Sequence, residues 1–328
     1  MRHARFLTTI AGAALAAGCS SNHAALNPAG PRAQQIAHLL LLFCAVAAVV
    51  YVVVNATLVW AMLRRRRTSP DAERNATRVI TAAVALTVLT LITLGVADFV
   101  VQRGLSAHPA DALRVVVTGH QYWWQIEYDD PQPSRRLLTA NEMHIPVGRP
   151  VELVLTSQDV IHSFWLPSIT GKKDLIPGHT NTEVLIVDKP GKFTGQCAEF
   201  CGLQHAQMRL VLHADPPSEF EKWKQQQLAP ARAPANPNEQ RGQQVFLSSS
   251  CVLCHTIQGT AAAATVGPDL THVASRSVLA AGALPNNSAA LSAWILAPHR
   301  FKPGVQMPAT ALPPDDLAAL TVYLESLR

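Results

Sequence analysis

Two cysteines, a histidine and a methionine lie within one stretch, C-A-E-F-C-G-L-Q-H-A-Q-M, between residues 197 and 208. Thiolate, imidazole and thioether groups together form a soft ligand set, and such ligands select copper over magnesium, calcium or manganese. Two thiolates in one tight loop can also bridge two metal ions, whereas a tetrahedral zinc site uses two separated pairs of ligands. The segment is one ligand short, and His162 in D-V-I-H-S-F is the candidate.

A second group of chemically active residues follows further along the chain, where Cys251, Cys254 and His255 form C-V-L-C-H. This spacing is the attachment signature of c-type haem, in which two thioether bonds fix the porphyrin and the adjacent histidine binds the iron. The alternative is a redox-active C-x-x-C followed by an unrelated histidine. The residues around the motif favour haem, because a predicted helix from Asn238 to Ser248 precedes it and G-P-D-L follows it.

The C-terminal region resembles the small class I cytochromes c. By that resemblance Met307, in P-G-V-Q-M-P, is the sixth iron ligand, and His272 and His299 are the competing axial candidates. Methionine ligation raises the reduction potential, which suits an electron carrier. A final helix is predicted to begin near Pro314 and to carry an apolar stripe of leucines that packs in the core.

The first motif, together with D-V-I-H-S-F-W-L-P and G-H-Q-Y-W-W-Q-I-E-Y, resembles subunit II of the haem–copper cytochrome c oxidases over roughly residues 30–225. That resemblance implies a dinuclear copper A centre with the bridging thiolates Cys197 and Cys201, one histidine for each copper (His162 and His205), the weak axial Met208, and the backbone carbonyl of Glu199.

Two further roles come from the same resemblance. The Glu199 carboxylate, which the copper site leaves free, reaches a magnesium or manganese ion at the boundary with subunit I in that family; the alternative is a solvated surface glutamate. The family also places a tryptophan after H-Q, where an external cytochrome c delivers its electron. Here that position is Tyr122, followed by Trp123 and Trp124, and these three are the expected electron-entry residues.

The N-terminal third has the features of an exported, membrane-anchored chain. Residues 1–19 are predicted to be an export signal of the lipoprotein type, with cleavage before Cys19; ordinary cleavage with an incidental cysteine is the alternative. The runs 36–63 and 79–101 are each long and apolar enough to cross a bilayer. The arginine-rich loop between them is expected to stay in the cytoplasm, which puts both outer ends in the periplasm.

Short alternating strands punctuated by Pro and Gly predict an all-β domain after the membrane segment, and the resemblance specifies a cupredoxin-like barrel. The expected architecture is a two-helix transmembrane hairpin, then this barrel, then a small all-α cytochrome c domain. The predicted divisions are the signal peptide 1–19, the membrane helices 36–103, the copper A domain 111–228, an extended Pro- and Ala-rich linker 229–238, and the cytochrome c domain 239–328.

The formal net charge is +5, but residues 1–110 contain ten basic and three acidic side chains, so the excess belongs to the membrane-anchoring end. The sequence shows no basic patch with interleaved aromatic residues, and we therefore expect no nucleic-acid partner.

The two resemblances together imply subunit II of a cytochrome c oxidase with a fused cytochrome c domain, in a bacterial inner membrane. Its expected partners are subunit I and other oxidase subunits, with cytochrome c or an upstream respiratory complex as electron donor. The electron-entry subunit of a copper A-containing nitric oxide reductase is the alternative. A quinol oxidase subunit is disfavoured by the copper ligands and C-x-x-C-H, and a free electron shuttle is disfavoured by Glu199.

Overall fold

The computed structural model describes residues 23–64, 70–107 and 109–328. The predicted export signal with Cys19 lies outside the described residues, and so do three arginines of the predicted cytoplasmic loop, Arg65–Arg67. Gln34–Ala107 form one compact unit, and the remaining described residues form a second.

Two long helices make up the first unit, α1 (Pro31–Leu63) and α2 (Pro70–Leu105). The most apolar windows of Pro31–Leu63 and Glu73–Leu105 have mean hydropathies of 2.7 and 2.4, and their side chains are largely exposed. A helix of 33 residues is about 50 Å long, which exceeds the ~30 Å of a bilayer's hydrocarbon core. The prediction of two apolar helices long enough to span a membrane is confirmed.

Ten strands form two five-stranded sheets in the second unit. In chain order they are β1 (Leu113–His120), β2 (Trp123–Tyr128), β3 (Leu137–Ala140), β4 (Glu142–Pro146), β5 (Val151–Ser157), β6 (His162–Trp165), β7 (Lys173–Leu175), β8 (Asn181–Leu185), β9 (Gly191–Cys197) and β10 (Arg209–Asp215). The strand orders are β3-β2-β1-β5-β8 and β4-β10-β9-β6-β7. The pairs β1–β5 and β4–β10 are parallel, and the other pairs are antiparallel.

Alternating apolar side chains from both sheets fill the core between them. Val115 and Val117 on β1 and Leu153 and Leu155 on β5 are fully buried, as the period-two pattern predicts. Helix α3 (Pro217–Gln227) follows β10 and covers one end of this core, where its Phe220 packs beside Tyr128.

The C-terminal region is helical, with α4 (Pro237–Ser248), α5 (Ser288–Leu296), α6 (Pro298–Phe301), α7 (Pro314–Ser326) and the two-residue strands β11 (Val278–Leu279) and β12 (Leu284–Pro285). Asn236 caps α4 by accepting a hydrogen bond from the Glu239 backbone N–H. Leu320 and Leu324 on α7 are buried against α4, which confirms the predicted apolar stripe.

The segment between α3 and α4 is hydrogen-bonded along its length to the cytochrome-like region. The Ala231 backbone N–H donates to Gln258, and the Arg232 guanidinium donates to Ser326 and to Glu239. The Ala229 carbonyl lies 2.9 Å from His272 Nε2. These bonds fix the path of the chain as it passes from the β domain to the helices.

Candidate metal centre and haem pocket

The residues predicted to bind copper meet where β6, β9 and β10 come together. Cys197 is the last residue of β9, His162 is the first of β6, and the loop that returns to β10 supplies the other ligands. Cys197 Sγ lies 3.9 Å from Cys201 Sγ and 3.9 Å from His162 Nδ1. Cys201 Sγ lies 3.8 Å from His205 Nδ1 and 3.9 Å from Met208 Sδ.

These spacings fit metal ions held between the side chains. A disulfide needs sulfurs about 2.05 Å apart, so the two cysteines are separate thiols. Ligand atoms that each lie about 2.0–2.3 Å from a shared metal are separated by roughly 3.3–3.9 Å, which is the range seen here. The Glu199 carbonyl oxygen lies 3.2 Å from Cys197 Sγ. All six predicted copper ligands are therefore in one place.

His162 is held in the orientation that a ligand needs. Its Nε2 lies 2.8 Å from an Asp159 carboxylate oxygen, which leaves Nδ1 facing Cys197. A carboxylate that hydrogen-bonds the far nitrogen fixes both tautomer and ring direction at metal sites. A Cβ at Gly119 would lie 2.7 Å from His162 Cδ2, so this strand approaches the ring only because residue 119 has no side chain.

The two thiols influence each other strongly. The hydrogen bond from Cys201 lowers the pKa of the Cys197 thiol well below its ordinary value, and His162 acts in the same direction. The same pairing raises the pKa of Cys201. Cations bound to both sulfurs favour the loss of their protons, because a thiol must be deprotonated to bind a metal.

The Glu199 side chain points away from this cluster. The side chain is 44% exposed, and its carboxylate lies 3.4 Å from Lys172 Nζ, which in turn contacts Asp174 at 3.2 Å. The backbone carbonyl and the carboxylate of this residue thus face different groups.

A cavity in the helical region collects the residues predicted to hold haem. Cys251, Cys254, His255 and Met307 all line it. The rest of its wall is largely apolar and includes Leu279, Leu291, Trp294, Ile295 and Leu324. The competing axial candidates are elsewhere, because both ring nitrogens of His272 are hydrogen-bonded to backbone carbonyls and His299 is exposed on α6.

His255 also has the tautomer that iron ligation requires. Its Nδ1 lies 2.7 Å from the Pro268 carbonyl oxygen, so Nδ1 carries the proton and Nε2 keeps its lone pair. Burial lowers the pKa of His255, which favours the neutral ring. Gly267 packs against this ring, where a Cβ would lie 2.7 Å from Cε1.

Comparison with known proteins identifies the family. The profile of the cytochrome c oxidase subunit II periplasmic domain matches residues 131–215, and the cytochrome c profile matches residues 239–328. The chain is 36% identical over 325 residues to cytochrome c oxidase subunit 2 of Alkalihalophilus pseudofirmus, covering 95% of this chain and 93% of the relative. The chain belongs to the cytochrome c oxidase subunit 2 family.

One further relative and one solved structure are similar to parts of this chain. Cytochrome c oxidase subunit 2 of Bacillus subtilis is 31% identical over 73% of this chain and 68% of the relative. Among solved structures, the periplasmic domain of subunit II of cytochrome oxidase from Bradyrhizobium japonicum is 31% identical, with a TM-score of 0.34, and the match covers 36% of this chain and 95% of that one.

Family membership confirms the predicted fold class, which is two long apolar helices, a cupredoxin-like β domain and a helical cytochrome c region. The two matched domains imply copper A and haem c as cofactors, and the clustering of His162, Cys197 and Cys201 is consistent with the first.

The aromatic segment of this subunit lies between the two sites. Trp124 is fully buried and meets His162 edge-on, with ring centroids 6.0 Å apart. Tyr122 is also buried, and its hydroxyl accepts a hydrogen bond from the Leu203 backbone N–H in the copper loop. Tyr122 and Trp123 also line the haem cavity. One short segment therefore touches both candidate cofactor sites.

A buried lysine joins the two regions, and sequence reasoning did not single it out. Lys302 is 1% exposed, and its Nζ donates to the carbonyls of Tyr122 at 2.9 Å and Ala280 at 3.1 Å. Next to it, the Gln204 side chain donates to the Pro303 carbonyl at 2.9 Å. In the sequence, the one feature that points to Lys302 is its place five residues before the predicted haem ligand Met307.

Proposed function

We propose that this subunit is the electron-entry chain of a cytochrome c oxidase. It receives electrons in its cytochrome c domain from cytochrome c or an upstream respiratory complex, and it delivers them through its copper A domain to subunit I, where oxygen is reduced to water. The proposal rests on the position of the segment Tyr122–Trp124. Its Trp124 contacts His162, and its other two residues line the cavity that also contains His255.

The ligand roles in this proposal follow the clustering of the side chains. Cys197, Cys201, His162, His205, Met208 and the Glu199 carbonyl would hold the copper pair. Cys251 and Cys254 would hold haem c covalently, and His255 and Met307 would bind its iron. The bound copper pair and haem supply one-electron transfer.

The chain itself contributes rigidity and exclusion of water. His162 is fully buried and fixed by Asp159 and Trp124, so its ring has little room to move. Cys197, Cys201 and Met208 are each at most 3% exposed. Buried ligands on a rigid sheet keep the same arrangement in both oxidation states, which favours fast electron transfer.

The remaining assignments complete the proposal. The divisions are the signal peptide 1–19, the membrane helices 36–103, the copper A domain 111–228, the linker 229–238 and the cytochrome c domain 239–328. Both cofactor domains face the periplasm of a bacterial inner membrane, and the enzyme translocates protons. The Glu199 carboxylate faces subunit I, where it contributes to a magnesium or manganese site. The name of the relatives, cytochrome c oxidase subunit 2, favours oxygen over nitric oxide as terminal acceptor.

The test is flash reduction of the intact purified subunit, with the haem and copper absorption bands followed together. A tethered domain has an effective concentration on the order of millimolar, so we expect haem-to-copper transfer at a rate independent of protein concentration. A rate that rises with protein concentration, or that is slower than turnover of the oxidase, would contradict the proposal. Trp123→Ala should slow the transfer, whereas Trp294→Ala, on another part of the cavity wall, should not.

A further inference from the structure

A second cluster of potential metal ligands lies on strands β4 and β10, separate from the copper site. Glu142 and His144 are two residues apart on β4, so their side chains share one face of the sheet. His213 on β10 is the register partner of His144 in this parallel pair and lies beside it. Two residues spaced two apart on one strand and a third on the neighbouring strand therefore bring three side chains close together.

The distances within this cluster match a bound metal. Glu142 Oε1 lies 3.6 Å from His144 Nε2 and 3.5 Å from His213 Nε2, and all three ligand atoms are within 4.8 Å of one another. Bonds of about 2.1 Å at tetrahedral angles separate ligand atoms by roughly 3.4 Å. The contacts are too long for well-formed hydrogen bonds but suit a metal ion between them.

Two of the three potential ligands are held in place by further hydrogen bonds. His144 Nδ1 lies 2.7 Å from Asp215 Oδ2, which leaves Nε2 directed at the cluster; carboxylates hydrogen-bonded to the far ring nitrogen orient histidine ligands at zinc sites in the same way. The other oxygen of Glu142, Oε2, accepts from both the backbone N–H and the hydroxyl of Ser277, and this leaves Oε1 facing the two imidazoles.

His213 supplies the independent observation. Its Nε2 is buried and has no hydrogen-bond partner among the described residues, and an orphaned buried nitrogen carries an unrecovered desolvation cost. The rings of His144 and His213 are stacked with an interplanar angle of 5°, so one must turn to aim both lone pairs at one ion. Because Asp215 and the stacked Trp223 hold His144, binding of an ion would require His213 to turn from its position in this structure.

We propose that Glu142, His144 and His213 bind one divalent transition-metal ion of the zinc class. Two imidazoles and a carboxylate, without a thiolate, form a borderline ligand set that suits Zn²⁺. The carboxylates of Glu142 and Asp215 offset the nearby ammonium of Lys192, which contacts the Ser277 hydroxyl. His213 is 24% exposed, which gives the ion a route from solvent. Through Ser277 the site also links the copper A domain to the cytochrome c domain.

The experiment uses the full-length subunit, purified without a polyhistidine tag and already loaded with copper and haem. Zn²⁺ is titrated in competition with a chromogenic chelator, and bound zinc is counted by mass spectrometry while the copper content is checked. We expect one zinc per chain. His213→Asn should weaken its affinity by more than ~100-fold. Asp215→Asn, which leaves all three ligands in place, should weaken it by about 10–100-fold.

The matched control is His179→Asn, which removes an exposed histidine elsewhere on the β domain and should leave zinc affinity unchanged. Equal zinc uptake by the wild type and His213→Asn would overturn the proposal, as would the absence of any bound zinc in the wild type. If His213→Asn does not retain its copper and haem bands, Asp215→Asn decides, and wild-type zinc affinity in that folded variant would contradict the site. None of these outcomes depends on the electron-transfer role.

Discussion

Cys197 Sγ lies within 4 Å of three other predicted copper-ligand atoms, on His162, Glu199 and Cys201. If this thiolate bridges both coppers, neither ion is retained without it. We expect Cys197→Ser to lose the whole copper pair while haem c remains, because the predicted haem ligands Cys251, Cys254, His255 and Met307 all lie in the other domain. Metal analysis of the purified subunit measures this, with Cys44→Ser as the control thiol. Two coppers still bound to Cys197→Ser would show that this residue is not a bridge.

We predict that Cys251 and Cys254 attach haem covalently. Both line the haem cavity beside His255, where thioether bonds to the porphyrin can form. A denaturing gel stained for haem peroxidase activity should therefore show the wild-type chain and Cys44→Ala, but not Cys251→Ala/Cys254→Ala. Haem that acidified acetone extracts from the wild type would refute covalent attachment.

The Glu199 side chain can be tested separately from its backbone. Glu199→Gln keeps the carbonyl near Cys197 and removes the charge that faces Lys172. We expect normal copper absorption, with weaker retention of manganese or magnesium in the assembled oxidase than in the exposed control Asp188→Asn. Loss of the copper spectrum in Glu199→Gln would mean that the carboxylate itself supports the copper loop.

The sequence was enough to predict the ligand residues, but not the residues that hold those ligands in place. Cys197, Cys201, His205 and Met208 lie in one loop, so their meeting is local and visible as a motif. Asp159 and Lys302 act through contacts made only in the folded chain. The Lys302 ammonium reaches the Tyr122 carbonyl across 180 positions of sequence, and no local pattern encodes such a contact.

Among the elements, alternation predicted the strands well where one face is polar. It could not choose a face at the end of β8 and just beyond it, because Val184, Leu185, Ile186 and Val187 are all apolar. The main core contains Leu185 and Val187, and Val184 is buried outside that core. Pairing of β8 with β5 settles the face, and that pairing is a tertiary fact.

Helices α4 and α7 pack so closely that a single glycine decides their separation. A Cβ at Gly242 would lie 2.1 Å from the Ala319 carbonyl oxygen and 2.6 Å from Tyr323 Cβ. Alanine favours a helix by about 0.8–1.0 kcal/mol, but overpacking costs about 1–3 kcal/mol, so packing dominates. We expect Gly242→Ala to lower the thermal midpoint of the haem absorption band.

The control for this substitution is Gln244→Ala on the exposed side of the same helix, which should leave the midpoint unchanged or raise it. A midpoint for Gly242→Ala equal to that of Gln244→Ala would show that α4 and α7 can separate without loss of stability.

For the whole molecule, the contact between the copper A and cytochrome c domains depends on polar groups as well as on apolar area. Glu142 accepts two hydrogen bonds from Ser277, Gln204 donates to Pro303, and Lys302 donates to Tyr122. The hydrogen-bonded segment before α4 further restricts the two domains. The geometry is therefore set by specific bonds, and a tether alone would leave it undefined.

Lys302 is the sharpest test of this interface. Replacement by Met keeps the volume of the side chain and removes the Lys302 donor from the Tyr122 carbonyl, which costs about 1–3 kcal/mol, whereas the Ala280 carbonyl still accepts from the Ala283 backbone N–H. The domains should then separate more often. We expect flash-induced haem-to-copper transfer in Lys302→Met to develop a slower second phase, whereas Arg300→Met, an exposed cation two residues earlier, keeps a single phase.

The same lysine also makes a prediction about pH. Burial lowers the pKa of Lys302 from 10.5 to about 8 in the folded chain. Between those two values the unfolded chain binds a proton that the folded chain does not, so this group makes stability rise with pH in that interval. Thermal unfolding measured across this pH interval should show the rise in stability in the wild type and in Arg300→Met, but not in Lys302→Met. If Lys302→Met keeps both the rise in stability and single-phase electron transfer, Lys302 does not hold the domains together.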